Sequence, residues 1–217
     1  MPVRAPRTQQ QRRDETRRAL LDAAVESLIE VGFARTTPLE VQRRADVSRG
    51  ALLHHFPSKA ELLVAAVDHL AEMRAKELKV LSSQLPAGKP RERTEAVLDL
   101  LWQCFSGTFF QVAMELRTAA RTDDELRPVL IVAEKQLRER IFAQVRSLFG
   151  TPLADTPGLE RALDLTLQLM IGAAMSSVLH SEDRRLDLLI EDWKALFPAV
   201  LAHAATTTVK PKPVRKR

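Results

Sequence analysis

The chain has 217 residues, 45% of them hydrophobic, enough for one or two helical domains with a real core. Only 5% are aromatic, Tyr is absent and glycines number 7, while the good helix formers Ala, Leu, Arg and Glu dominate, so a sheet-rich fold is disfavoured. The net charge of +5 is divided as +4 over residues 1–59, −4 over 60–209 and +5 over 210–217, a pattern that suits a polyanion-binding head on a body with another task.

Residues 1–13, with Pro2, Pro6, three consecutive Gln and four Arg, read as a disordered basic arm. Helix 1 is predicted from about Asp14, where Leu20, Ala24, Leu28 and Val31 follow helical spacing, to Gly32, a C-terminal glycine. Thr37-Pro38-Leu39-Glu40 opens helix 2: Thr37 caps, Pro38 fits the first turn and Glu40 completes a capping box. Helix 2 runs to about Arg44. Ser48 caps a two-turn helix 3 that Pro57 stops, and Ser58-Lys59-Ala60-Glu61 opens helix 4, about 35 Å long if it reaches Ser82. After the break "LPAGKP", helical stretches are predicted at about 91–105, 108–121, 124–149 and 158–180. A last one starts near Leu186, and Pro198 is expected to end or kink it.

Helix 2, a short turn and helix 3 have the dimensions of a helix-turn-helix, whose second helix enters the DNA major groove through its N-terminal half. Leu52 and Phe56 anchor helix 3 to the core. Residues 16–67, from "TRRALLDAAVESLIEVGFARTT" through "ADVSRGALLHHFPSKAELLVAAV", resemble the DNA-binding head of the TetR family of bacterial transcription regulators. The matching features are Gly-aromatic at the end of helix 1, then Thr-Thr, Val-Ser-x-Gly-x-Leu and His-Phe-x-Ser-Lys-x-x-Leu-Leu. The resemblance implies an all-α homodimer with a variable C-terminal domain that binds a small molecule. It also implies phosphate contacts for Thr37 and Lys59. The sequence departs from the family at Gln42, usually a small residue, at Asp46, usually Gly, and at Leu53, usually a phosphate-bonding Tyr.

The expected DNA-binding residues are Thr37, Ser48, Arg49, Gly50, Ala51, Leu53, His54 and Lys59. Arg49 reads a guanine edge, or else contacts a phosphate or stays solvated. One or both of Ala51 and Leu53 pack on a thymine methyl, or Leu53 is half-buried against helix 1 and reads nothing. Thr37 and Lys59 stand at helix N-termini, which favour anions. His54 and His55 are adjacent, about 100° apart on the helix, and do not converge on a metal ion. The arginines of the arm form either a minor-groove arm or a mobile tail giving salt-dependent attraction.

In the body, Trp102, Phe105, Phe109, Phe110, Met114 and Arg117, with Met170, are the candidate ligand-pocket residues; a pocket walled by apolar groups with a few polar ones is the usual small-ligand design, plain core the alternative. Gly172, Ala173, Ser176, Leu189, Trp193 and Leu196 are the candidate dimer interface, which the resemblance casts as a four-helix bundle; packing within one chain is the alternative. There is no Gly-rich phosphate loop or nucleophile elbow, so neither an enzyme nor a cofactor is expected. Cys104, the one cysteine, fits a reducing cytoplasm, and no signal peptide or apolar run of about 20 residues points to export or a membrane.

The expected architecture is all-α with about nine helices. It comprises the arm at 1–13, a helix-turn-helix domain at 14–60, a ligand-binding and dimerisation domain at 61–205, and a disordered basic tail at 206–217. The expected function is a repressor released from a near-palindromic double-stranded operator by a largely apolar small molecule. A helical protein-interaction module with degenerate DNA recognition is the alternative.

Overall fold

The computed structural model describes residues 8–86, 89–105, 107–179 and 184–206. These form nine α-helices, and no strand occurs among the described residues: α1 (Gln9–Arg35), α2 (Pro38–Ala45), α3 (Arg49–His55), α4 (Lys59–Leu81), α5 (Pro90–Phe105), α6 (Thr108–Ala119), α7 (Leu126–Phe149), α8 (Leu159–Ser177) and α9 (Arg184–Thr206). The chain divides into two compact units, Met1–Lys79 with Gly107–Arg138, and Val80–Ser106 with Glu139–Arg217. Residues 1–7 of the expected arm and 207–217 of the expected tail lie outside the described residues.

The first unit holds α1 to α4, α6 and the first half of α7. α1 starts at Gln9, five residues earlier than its apolar pattern indicates, because Thr8 and Gln11 form a reciprocal capping box, Gln11 N–H to Thr8 Oγ1 at 3.2 Å and Thr8 N–H to Gln11 Oε1 at 2.9 Å. Residues 9–13 are therefore helical, and Arg12 and Arg13 ride on a helix. Gly32, at φ 74°, ψ 175°, breaks α1, and one more turn runs to Arg35, closed by Thr36 N–H to Gly32 O at 3.1 Å. Leu20, Ala24 and Leu28 of α1, Val41 of α2, Leu52 of α3, Leu62 and Leu63 of α4, Leu116 of α6 and Leu126 of α7 share one core. Asp123 Oδ1 accepts the N–H groups of Glu125 and Leu126, at 3.1 and 2.8 Å, and starts α7.

The second unit holds α5, the second half of α7, α8 and α9. Its core joins Leu98 and Leu101 of α5, Leu148 and Phe149 of α7, Leu163 and Met170 of α8, and Ile190, Phe197 and Leu201 of α9. The Phe149 and Phe197 rings stack at 5.8 Å. The Arg93 guanidinium donates to the carbonyls of Leu148, Phe149 and Pro86 at 2.8, 3.2 and 3.2 Å, satisfying the orphan end of α7. Lys194 Nζ ties α9 to Asp99 of α5 at 2.7 Å. Gly158 lies against the backbone of Ala204, where a Cβ would come within 2.5 Å.

α9 does not end at Pro198. It continues to Thr206, because Phe197 before the proline and Leu201 and Ala204 after it are all buried. That burial outweighs the ~3 kcal/mol a helix-interior proline costs. Among the described residues no helix is long and apolar enough to cross a membrane.

Candidate nucleic-acid interface

Three hydroxyl caps shape the surface formed by α2, α3 and the start of α4. Thr37 Oγ1 accepts Glu40 N–H at 3.2 Å, Ser48 Oγ accepts Ala51 N–H at 3.2 Å, and Ser58 Oγ accepts Glu61 N–H at 3.1 Å. The turn between α2 and α3 closes on Asp46 in the left-handed region, φ 50°, ψ 48°, which Asp tolerates better than most residues. Val47 N–H then reaches Gln42 O at 3.3 Å, so the last carbonyls of α2 are satisfied without glycine.

Underneath, Val41, Leu52 and Phe56 are buried and hold the two short helices to α1 and α4. The Arg17 guanidinium lies 5.1 Å above the Phe56 ring and the Lys59 ammonium 4.7 Å above the Phe33 ring, cation–π contacts that hold both charges near this surface.

Glu40 does not close a capping box. Its carboxylate receives Arg43 Nη2 at 2.9 Å and Arg44 Nε at 2.7 Å, because both arginines lie one turn further along α2. These two hydrogen bonds, Arg43 first, lower the Glu40 pKa from 4.5 to about 2. Arg44 also pairs with Glu30 at 2.6 Å. Arg49 stands exposed at the start of α3.

A concavity of about 440 Å³ opens on this face, walled by Thr37, Leu39, Gln42, Arg49, Leu53 and Lys59 among others. It brings together four of the eight sequence-expected contact residues: Thr37, Arg49, Leu53 and Lys59. Ser48, Gly50 and His54 are exposed on the same turn and helix, and Ala51 is half-buried. The Ser48 hydroxyl is already committed as a cap. His55 packs beside Phe56, with ring centroids 6.3 Å apart; burial, and then the positive charges of His54, Arg13 and Arg17, lower its pKa. No group of three metal-binding side chains occurs among the described residues.

Leu39 and Gln42 were missed as wall residues. The available signal was periodicity: the buried residue of α2 is Val41, and Leu39, two residues earlier, points about 200° around the helix from it. An apolar residue there has no core to enter.

The remaining expected residues are distributed as follows. Trp102, Phe105 and Met170 belong to the core of the second unit, and Phe109 packs on the core of the first. Phe110 is buried and Met114 half-buried, both in the first unit. Arg117 is exposed and paired with Glu134 at 2.8 Å. Of the expected interface, Gly172, Ser176, Leu189 and Leu196 are exposed. Ala173, 3% exposed, and Trp193 instead serve the chain's own core. Ala173 shares the inward face of α8 with Thr166 and Met170, and Trp193 Nε1 donates to Thr166 Oγ1 at 3.2 Å. Leu188, expected with Leu189 and Leu196 on the last helix, is exposed too, and Leu165, Met175 and Leu179 add exposed apolar groups on α8 or just beyond that the sequence did not single out.

A family model described as bacterial regulatory proteins, tetR family, matches residues 20–66. An uncharacterized HTH-type transcriptional regulator of Mycobacterium tuberculosis strain H37Rv is 35% identical over 144 residues, 66% of this chain and 73% of that protein. The HTH-type transcriptional regulator CymR of Pseudomonas putida is 36% identical over 122 residues, 56% of this chain and 59% of that one. Among solved structures, the multidrug binding protein EbrR complexed with ethidium has a similar fold, with a TM-score of 0.60, 23% identity, and coverage of 84% of this chain and 98% of that chain.

Proposed function

Because the chain belongs to the TetR family of bacterial transcriptional regulators, we propose that it is a ligand-responsive repressor that binds a near-palindromic operator as a homodimer and leaves it when a small molecule binds. The observation that carries this reading is the wall of the α2–α3 concavity, which an exposed Arg49 shares with Thr37 and Lys59, each at a helix N-terminus. Arg49 reads a guanine edge, and the helix starts at Thr37 and Lys59 take phosphates. The alternative of a head without DNA recognition is disfavoured on the same ground: the departures at Asp46 and Gln42 leave the turn hydrogen-bonded and the wall open.

Two-fold symmetry of the protein is mirrored in the operator. The exposed apolar stripe of α8 and α9, with Leu165, Met175, Leu189 and Leu196, supplies the dimer contact. The effector is largely apolar and is met by Phe109, Phe110 and Met114 of α6. Its binding biases the position of α4, whose first turn carries Lys59, and so the spacing of the recognition helices. The protein acts in the cytoplasm, where its DNA lies.

Binding of the full chain to duplexes from the intergenic DNA beside its own gene, followed by mobility shift at several salt concentrations, tests this. A specific complex is expected, weakening steeply with salt. Its absence at every nearby site would overturn the reading. Effector and operator must also weaken each other by the same factor, since the linkage is reciprocal.

A further inference from the structure

We propose that the head recognises a thymine 5-methyl group with an apolar clamp made by two helices, Leu39 of α2 and Leu53 of α3, beside the guanine read by Arg49. The inference rests on the DNA-binding reading above and names a base determinant within it.

Leu39 is 72% exposed and Leu53 47% exposed. Neither exposure is a frayed core. Val41 holds α2 and Leu52 holds α3, both buried, while Leu39 lies about 200° around its helix from Val41 and Leu53 about 100° from Leu52, each off the buried face. Both leucines wall the same concavity as Arg49, Gln42 and Lys59. A cationic surface meant only to follow phosphates gains nothing from two exposed leucines, and each leaves apolar area in water at about 25 cal/mol per Å².

In the major groove the 5-methyl of thymine is the one apolar group on a base edge, while guanine offers O6 and N7 to an arginine. The charge pattern selects the same occupant. Arg43 and Arg44 are tied to Glu40 and do not line the concavity, and the Lys59 ammonium lies over the Phe33 ring, which leaves Arg49 as the cation offered to base edges there. An apolar pair next to one guanidinium is complementary to a thymine near a guanine, and the clamp draws α2 into base reading alongside α3.

The test begins with selection of preferred sequences by the full chain from a random duplex pool. Each thymine of the selected site is then replaced singly by deoxyuridine, which removes the methyl and leaves base pairing intact. One thymine per half-site is expected to lose about fourfold in affinity for the wild-type protein, the value of one buried methyl. Leu39→Ala and Leu53→Ala are each expected to abolish that difference, binding both duplexes equally, while Leu39→Met keeps it. Thermal melting of Leu39→Ala should match the wild type, since the side chain is exposed. No deoxyuridine effect at any position overturns the clamp. An effect lost in Leu53→Ala but retained in Leu39→Ala also overturns it, assigning the methyl to α3 alone. Failure to select any sequence overturns the clamp and the DNA-binding reading together.

Discussion

Glu115 on α6 accepts the backbone N–H of Phe33 at 2.6 Å, one residue after Gly32 breaks α1 at φ 74°. The contact joins residues 82 apart in sequence and satisfies an amide released by the break. The glycine is required for its left-handed φ; a Cβ there would lie 3.0 Å from Glu115 Oε2, a contact the flexible carboxylate can relieve. The break, the carboxylate and the helix that carries it meet at the surface of the first unit.

Removing that acceptor should loosen the end of α1. Glu115→Ala is expected to lower unfolding free energy by about 1 kcal/mol in chemical denaturation, and Glu115→Gln by less, since its amide oxygen still accepts. Gly32→Ala should cost roughly 1–2 kcal/mol through the left-handed backbone alone. Unchanged denaturation midpoints in all three variants would show that the bond contributes nothing.

Acid stability should carry a Glu40 contribution. Its folded pKa, about 2, lies below the ordinary 4.5, so its stabilisation is fully present above 4.5 and fades as pH falls toward 2. Glu40→Gln should therefore flatten the pH dependence of the melting temperature across that window and leave behaviour near pH 7 and above free of any new slope. The same variant releases Arg43 and Arg44 from their shared carboxylate. Its affinity for random duplex DNA should rise, with a steeper dependence on salt.

Arg49 and Lys59 should separate specificity from affinity. Arg49→Ala is expected to lose about 5- to 150-fold on the operator, the equivalent of ~1–3 kcal/mol, with little change on random DNA. Lys59→Gln should weaken both alike and reduce the salt slope by about 1. Competition binding on the two duplex types at three salt concentrations distinguishes these outcomes. Equal loss on both duplexes by Arg49→Ala would reassign Arg49 to the phosphates.

Association and folding should separate between α9 residues. Leu196→Glu, on an exposed position, is expected to yield a helical monomer by sedimentation, because a charge placed in an apolar interface is left unpaired. Trp193→Ala should instead lower the melting temperature and leave association largely intact, since Trp193 packs on its own core and bonds Thr166. A monomer from Trp193→Ala at full stability would reverse the assignment.

Helix order and most boundaries were legible in the sequence because their signals are local. Ser48, Ser58 and Thr37 cap where expected, and Asp46 takes the left-handed turn position. Two local signals were misjudged against competitors. The Thr8–Gln11 capping box starts α1 before its apolar stripe does, and Glu40 finds two arginines nearer than its own cap. At Pro198 the helix does not end, because residues on both sides of the proline are buried.

Local chemistry thus determined the helices, their caps and the recognition motif. Tertiary structure alone decided which side of each helix faces protein. Ala173 and Trp193 turn inward, Gly172 and Leu196 outward, although all four suit either role by composition. Leu39 joins Leu53 in one wall although they belong to different helices. Glu115 finds Phe33 across 82 residues. The physical reason is common to all three. A side chain's residue type states what environment it tolerates, but only the packing of distant helices settles which neighbours it meets.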